Sequence, residues 1–202
     1  MKNIAVLASG RGSNFQGIID GINCGKINGK LVCLITDKPD AYAITRAKSN
    51  NIPVIVIDFS LFKSREDYNR ALNKAMLEAK ADLFILAGYM RLLDDETAKT
   101  FSGKMINIHP ALLPSFTGLK AQKQAIEYGV KVAGCTVHFV DEGMDTGPII
   151  LQHVVPVFDT DDEEKLSERI LKEEHIALPK AVELFCNDKI KIEGRIVRIL
   201  PE

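Results

Sequence analysis

Asn107, Ile108, His109 and Pro110 stand together in a chain that holds only four histidines. A proline disfavours helical geometry at the residue before it, so His109 is expected in extended backbone. Side chains alternate along an extended chain, which puts Asn107 and His109 on one face and Ile108 on the other. An asparagine amide can donate a hydrogen bond to a developing oxyanion. A histidine titrates near neutrality, and a carboxylate beside it favours the protonated ring. The run Asp141-Glu142-Gly143-Met144-Asp145-Thr146-Gly147-Pro148 supplies carboxylates, and the turn after Asp145 can hold that side chain still. Amide, imidazole and carboxylate together suit acyl transfer to an amine. Spacing alone leaves hydrolase and transferase both open, and also a structural histidine beside a solvated acidic turn. The acidic residues lack EF-hand spacing. His138, His153 and His175 lack zinc-protease spacing, so no metal is expected.

A second cluster is Ser9-Gly10-Arg11-Gly12-Ser13-Asn14. It follows an apolar run and opens a helical pattern, so free N–H groups and a positive dipole end would face a phosphate. Ser13 and Gln16 have capping-box spacing. Phe15 stands where the dinucleotide fingerprint needs a small residue, and no Gly-Lys-Ser/Thr of a P-loop follows. On this motif alone, an anion site and a tight β–α turn without ligand are equally open.

The elements that must position these clusters follow from hydrophobic periodicity. Residues 4–7, 31–36, 54–57 and 83–87 are apolar runs that predict buried strands. Between them, helical spacing appears in Phe15, Ile18, Ile19 and Ile22, across residues 41–50, and in Tyr68, Ala71, Leu72, Ala75, Met76 and Ala79. Apolar strands separated by helices predict a parallel sheet covered on both faces. The second half changes character. A strand over 105–108 ends at His109-Pro110, a proline- and glycine-rich loop covers 110–118, and a short helix precedes strands over 132–140 and 149–157. Thr160 and Glu163 predict a capping box for a long last helix, and residues 190–199 predict a final strand. The expectation is one α/β domain with a partly antiparallel second half. In such sheets ligands sit beyond the strand ends, where His109 falls.

The chain has 202 residues, is 46% hydrophobic and carries a formal charge of −1. That length buries a core without disulfides. The charge balance offers no field for nucleic acid or an anionic membrane, so neither is an expected partner. Cys24, Cys33, Cys135 and Cys186 lie in no Cys-x-x-Cys pair, sit among apolar neighbours and read as buried, reduced thiols of a cytoplasmic protein. The apolar start of the chain is too short for a signal peptide and ends at Arg11. No run approaches the ~18 apolar residues of a membrane helix.

The clusters also carry a resemblance. Ser9-Gly10-Arg11-Gly12-Ser13-Asn14, Leu86-Ala87-Gly88-Tyr89-Met90-Arg91, Asn107-Ile108-His109-Pro110-Ala111-Leu112-Leu113-Pro114, His138-Phe139-Val140 and Asp145-Thr146-Gly147-Pro148 resemble, in order and spacing, the phosphoribosylglycinamide formyltransferases. The likeness runs from residue 4 to about residue 180. It implies a single Rossmann-like formyltransferase domain over 1–202, with a nucleotide-binding half to about residue 100 and a folate-binding, catalytic half after it. It implies transfer of a formyl group from 10-formyltetrahydrofolate, as co-substrate, to the amine of glycinamide ribonucleotide, without a metal. Asn107, His109 and Asp145 would be the catalytic trio. Gly12, Ser13, Asn14 and Glu174 would hold the ribonucleotide. Arg65, Met90, Arg91, Leu92, Leu93, Asn107, Asp141, Glu142, Gly143 and Met144 would line the folate site. Leu113–Pro114 is a candidate cis peptide.

Two places depart from the family pattern. Thr117-Gly118-Leu119-Lys120 stands where many relatives carry Pro-Gly and then a histidine or acid, and Leu171 replaces a polar contact of some relatives. A formyltetrahydrofolate deformylase would usually carry an extra regulatory domain before the catalytic one. A methionyl-tRNA formyltransferase would carry an RNA-binding domain after it. The first strand begins at residue 4 and the chain ends soon after the last helix, so both readings rank lower. A non-catalytic nucleotide-binding module is the rival of another class. The protein is expected to act on small molecules, as a monomer or homodimer.

Overall fold

The computed structural model describes residues 1–201. Strands and helices alternate through β1 (Lys2–Leu7), α1 (Ser13–Asn23), β2 (Gly29–Thr36), α2 (Tyr42–Ser49), β3 (Val54–Val56), α3 (Arg65–Ala79), β4 (Leu83–Leu86), α4 (Asp95–Thr100) and β5 (Met105–His109). The second part runs α5 (Ala121–Tyr128), β6 (Val132–Phe139), β7 (Ile149–Pro156), α6 (Glu163–Cys186), β8 (Ile190–Glu193) and β9 (Ile196–Ile199). The strands form one sheet in the order β3-β2-β1-β4-β5-β6-β7-β9-β8. From β3 to β5 the pairing is parallel, and β6 and β7 then pair antiparallel. The fold is thus the expected α/β sheet with an antiparallel second half.

Each central strand buries both faces. Ile4 and Val6 of β1 enter one core, with Phe15 and Ile18 of α1, Ala43 of α2, Ala125 of α5 and Leu166, Ile170 and Leu178 of α6. Ala5 and Leu7 enter the other, with Tyr68, Leu72 and Met76 of α3 and Ala98 of α4. Residues alternate between these cores because successive strand side chains point to opposite faces. The order reverses direction between β1 and β4. The crevice beyond their carboxyl ends is the topological switch point, where such sheets take ligands. There Ser9 N–H donates to the Gly88 carbonyl at 3.1 Å, and Met90 N–H donates to Ser9 Oγ at 2.9 Å.

Four local expectations are corrected. Cys24 is exposed while the other three cysteines are buried, because it stands at the C-cap of α1, past the last turn that packs on the core. The last helix is capped by Asp162, whose side chain accepts from Lys165 N–H; Thr160 lies two residues too early to cap a helix that starts at Glu163. Ser13 and Gln16 form no capping box. Gly12 is the N-cap in left-handed backbone at φ 67°, and no side chain caps α1. Gln16 instead accepts from Arg46 and donates to Asp20. Residues 190–199 are not one strand but the β8–β9 hairpin, because Gly194 at φ 61° allows the chain to reverse. Helix α4 escaped the sequence reading, since six residues give too short a period to detect.

The cap assignment is testable by urea denaturation. Asp162→Ala should lower stability by about 1 kcal/mol, while Thr160→Ala should stay within about 0.5 kcal/mol of the parent. Equal losses would mean that the helix begins elsewhere.

Candidate active site

Strand β5 presents Asn107 and His109 to one face while Ile108 enters the α1–α6 core. Antiparallel pairing with β6 sets Asn107 opposite His138 and His109 opposite Thr136. His138 Nδ1 donates to the Phe139 carbonyl at 2.8 Å. With the ring neutral, Nε2 is then bare, and Asn107 Nδ2 donates to it at 3.2 Å. Burial is the main cause that pushes the His138 pKa below its usual value and keeps the ring neutral; the Phe139 carbonyl and Asp145 act weakly the other way. Neutral His138 therefore orients the Asn107 amide, whose second N–H hydrogen has no partner among the described residues.

His109 is fixed from two sides. Nε2 faces the Phe116 carbonyl at 2.8 Å, which only a protonated nitrogen satisfies. Nδ1 faces Asp145 Oδ2 at 3.4 Å. The same Asp145 oxygen accepts from Gly118 N–H at 2.8 Å, and Oδ1 lies 3.8 Å from His138 Nε2. Asp145 reaches these partners because the 141–148 connection folds back over this face of the sheet. Within it, Asp141 Oδ1 accepts from Gly143 N–H and Thr146 Oγ1, and Asp145 takes left-handed backbone at φ 56°. The Leu113–Pro114 peptide is cis, and Thr136 Oγ1 holds that turn by donating to the Ala111 carbonyl at 2.6 Å and accepting from Leu113 N–H at 3.0 Å.

The glycine-rich turn approaches from the switch point. A Cβ on Gly12 would stand 2.8 Å from Ala43 Cβ, so only glycine lets the loop lie this close to α2. Arg46 Nε donates to the Arg11 carbonyl at 2.9 Å and steadies the turn from outside. Asn14 Nδ2 donates to Glu174 Oε2 at 2.7 Å, joining α1 to α6, while the buried Asn14 Oδ1 has no partner among the described residues. Burial is the main cause that raises the Glu174 pKa, with the Asn14 bond opposing it. The structure thus joins Gly12, Ser13, Asn14 and Glu174 in one place.

Met90, Leu92 and Met144 expose apolar side chains, 59%, 51% and 47% accessible. Arg65 Nη2 donates to the Leu92 carbonyl at 3.3 Å. Arg91 turns inward. Its Nε donates to the buried Asp37 at 2.9 Å and its guanidinium stacks 3.8 Å over Phe59, so backbone rather than charge is left for a ligand there. Leu93 packs into the α3–α4 core. Helix α4 connects this segment to the acidic loop, with Lys99 3.8 Å from Glu142 and Ala98, Lys99, Ser102, Asp141, Glu142 and Gly143 around a cavity of about 290 Å³. In the sequence His138 belongs to a motif without a role, Gly118 only to a stretch that departs from the family pattern, and Phe116 to neither. Only pairing across the sheet and loop closure bring them to Asn107, His109 and Asp145.

The formyl transferase family pattern matches residues 2–182. The chain belongs to the formyl transferase family. Among curated members it is 46% identical over 197 residues to the trifunctional purine biosynthetic protein adenosine-3 of Drosophila melanogaster, covering 96% of this chain. The chain spans only 15% of that much longer relative. It is 39% identical over 196 residues to the phosphoribosylglycinamide formyltransferase of Haemophilus influenzae, covering 97% of this chain and 92% of that one. Among solved structures, glycinamide ribonucleotide transformylase 1 from Symbiobacterium toebii superposes with a TM-score of 0.96 at 48% identity, covering 100% of this chain and 95% of that one. The family's shared chemistry therefore centres on formyl groups, and the resemblance drawn from the motifs holds for the fold.

Glu174 offers a pH test. A carboxyl whose folded pKa is raised contributes stability that is present below its unfolded value of 4.5 and lost as pH rises through the folded value. Glu174→Gln removes that ionisation and keeps an acceptor for Asn14. The variant should melt above the parent at pH 8, with the gap closing below pH 4.5. A variant that melts lower at pH 8 would show that Asn14 stabilises an ionised carboxylate.

Proposed function

We propose that this chain transfers the formyl group of 10-formyltetrahydrofolate to the amine of glycinamide ribonucleotide, a step of purine synthesis. The observation that carries the reading is the convergence of Asn107, His109 and Asp145 between a glycine-rich helix start and an exposed apolar rim. The names of the full-length relatives support it. In this reading the N-terminal half, to about residue 100, holds the ribonucleotide. The uncapped N–H groups at Ser13 and Asn14 face the phosphate, and Glu174 faces the ribose or amine region. The segments 90–93 and 141–144, with Arg65 near the glutamate tail, take the folate. The protein works in the cytoplasm as a monomer or homodimer. The described helices include none long and apolar enough to cross a membrane.

The residues then act in a direct transfer. The neutral amine adds to the formyl carbon, and the carbonyl π pair moves onto oxygen. The free N–H of Asn107 donates to that oxygen. His109 Nε2 donates to it as well, in the place that the Phe116 carbonyl occupies in this conformation. Each such donor is worth about 3 kcal/mol in a water-poor site. Asp145 holds His109 through Nδ1 and orients a water that carries the amine proton to N10 of the folate. The C–N10 bond then breaks, and no covalent enzyme adduct is needed. Holding both substrates side by side supplies the proximity effect.

Loss of 10-formyl-folate, followed optically with and without glycinamide ribonucleotide, tests the reading. Turnover should require the ribonucleotide. Turnover with water alone would make the chain a deformylase, and none in either case would leave a nucleotide-binding module. His109→Ala should lower kcat by about 10²- to 10³-fold while ribonucleotide binding measured by calorimetry stays within about twofold. Unchanged turnover in this variant would remove His109 from the mechanism.

A further inference from the structure

The β8–β9 hairpin lies beyond residue 182, where the family match ends, yet it reaches the candidate site. Its turn carries Arg195, whose Nη1 donates to the Thr146 carbonyl at 2.6 Å across 49 residues of sequence. No carboxylate lies within ion-pair distance of Arg195 among the described residues: the acidic neighbour in the hairpin, Glu193, is held by Lys191 and Arg198. The exposed guanidinium makes one hydrogen bond among the described residues, to the carbonyl of Thr146, the residue after Asp145.

That oxygen lies in a segment under constraint. Asp145 is a non-glycine residue in left-handed backbone, a conformation that persists only where its surroundings impose it. On the amino side, Asp141 grips the Gly143 amide and the Thr146 hydroxyl. On the carboxyl side, Gly147 packs so tightly that a Cβ would stand 1.8 Å from the Phe139 carbonyl. The Thr146 carbonyl between them is held from the hairpin, which joins the sheet where Ile196 pairs with Ile149. The Asp145 carboxylate meets His109 Nδ1 and Gly118 N–H at once, at 3.4 and 2.8 Å, so a displacement of Thr146, the next residue along the chain, would disturb both contacts.

We propose that Arg195 is a positioning residue for the formyl transfer, bracing the Thr146 carbonyl so that Asp145 stays aligned on His109 and Gly118. The proposal rests on the assignment of Asp145 to the reaction. The C-terminal hairpin is then part of the catalytic apparatus without touching substrate.

Arg195→Ala and Arg195→Lys, each in the whole chain, test it by two independent readouts. The first is hydrogen exchange at the Gly118 amide, which needs no turnover. The second is steady-state kinetics with both substrates. In Arg195→Ala, Gly118 exchange should quicken and kcat should fall about tenfold, with the ribonucleotide KM unchanged. Lysine keeps one donor for a carbonyl, so Arg195→Lys should recover part of both. Exchange that quickens in a chain whose parent shows no ribonucleotide-dependent turnover would uphold the brace and overturn the proposed function. Unchanged Gly118 exchange in Arg195→Ala, or a fall in kcat that tracks a lowered Tm and is not relieved by lysine, would overturn the brace.

Discussion

The pairing of β5 with β6 is the constraint on which the site depends. Four residue pairs set Asn107 against His138 and His109 against Thr136. A slip of one residue would turn every one of these side chains to the opposite face. Such a slip would also expose Ile106 and Ile108, which are buried in the α1–α6 core, so apolar burial holds the register that the polar groups require. The polar face then satisfies itself locally. His138 orients the Asn107 amide, Thr136 holds the cis-proline turn, and Gln152 joins that turn by donating to the Leu113 carbonyl at 2.9 Å.

Around this rigid pair the loops do the adaptable work. Residues 110–120 bring the Phe116 carbonyl to His109 and the Gly118 amide to Asp145, while 141–148 brings Asp145 itself. Phe116 and Lys120 both take left-handed backbone, at φ 53° and 58°, which a loop held only by its own hydrogen bonds would not favour. Asp145 is thus shared by an imidazole and a backbone amide from different segments. A half-buried carboxylate that accepts from one segment and lies against a second keeps its orientation better than one with a single neighbour. The hairpin from the far edge of the sheet closes the same construction from the other side.

The side proposed for the ribonucleotide follows a different rule. There a helix start is left uncapped, a glycine lets the turn lie against α2, and Asn14 and Glu174 tie α1 to α6. Keeping a buried carboxyl and an unpartnered amide oxygen together is unfavourable in an otherwise apolar core. In the proposed reading, a polar ligand would offset that penalty on binding.

The order of elements was legible in the residues alone. Strand runs at 4–7, 31–36 and 83–87 and the helical spacing around Tyr68 to Ala79 follow from burial periodicities of two and 3.6, which each segment carries within itself. The motifs around Asn107 and Asp145 also stood out, because a proline and a Thr-Gly-Pro turn restrict backbone next to reactive side chains. Caps and turns were less legible. Asp162 and Thr160 are equally good cap residues, and only the path of the incoming chain chooses between them. The hairpin at Gly194 looked like continuous strand for the same reason. What tertiary structure alone decided is which distant residues meet: His138 with Asn107, Gly118 with Asp145, Arg195 with Thr146. Those contacts depend on strand register and loop closure, set by burial across the whole sheet, and no window of local sequence contains them.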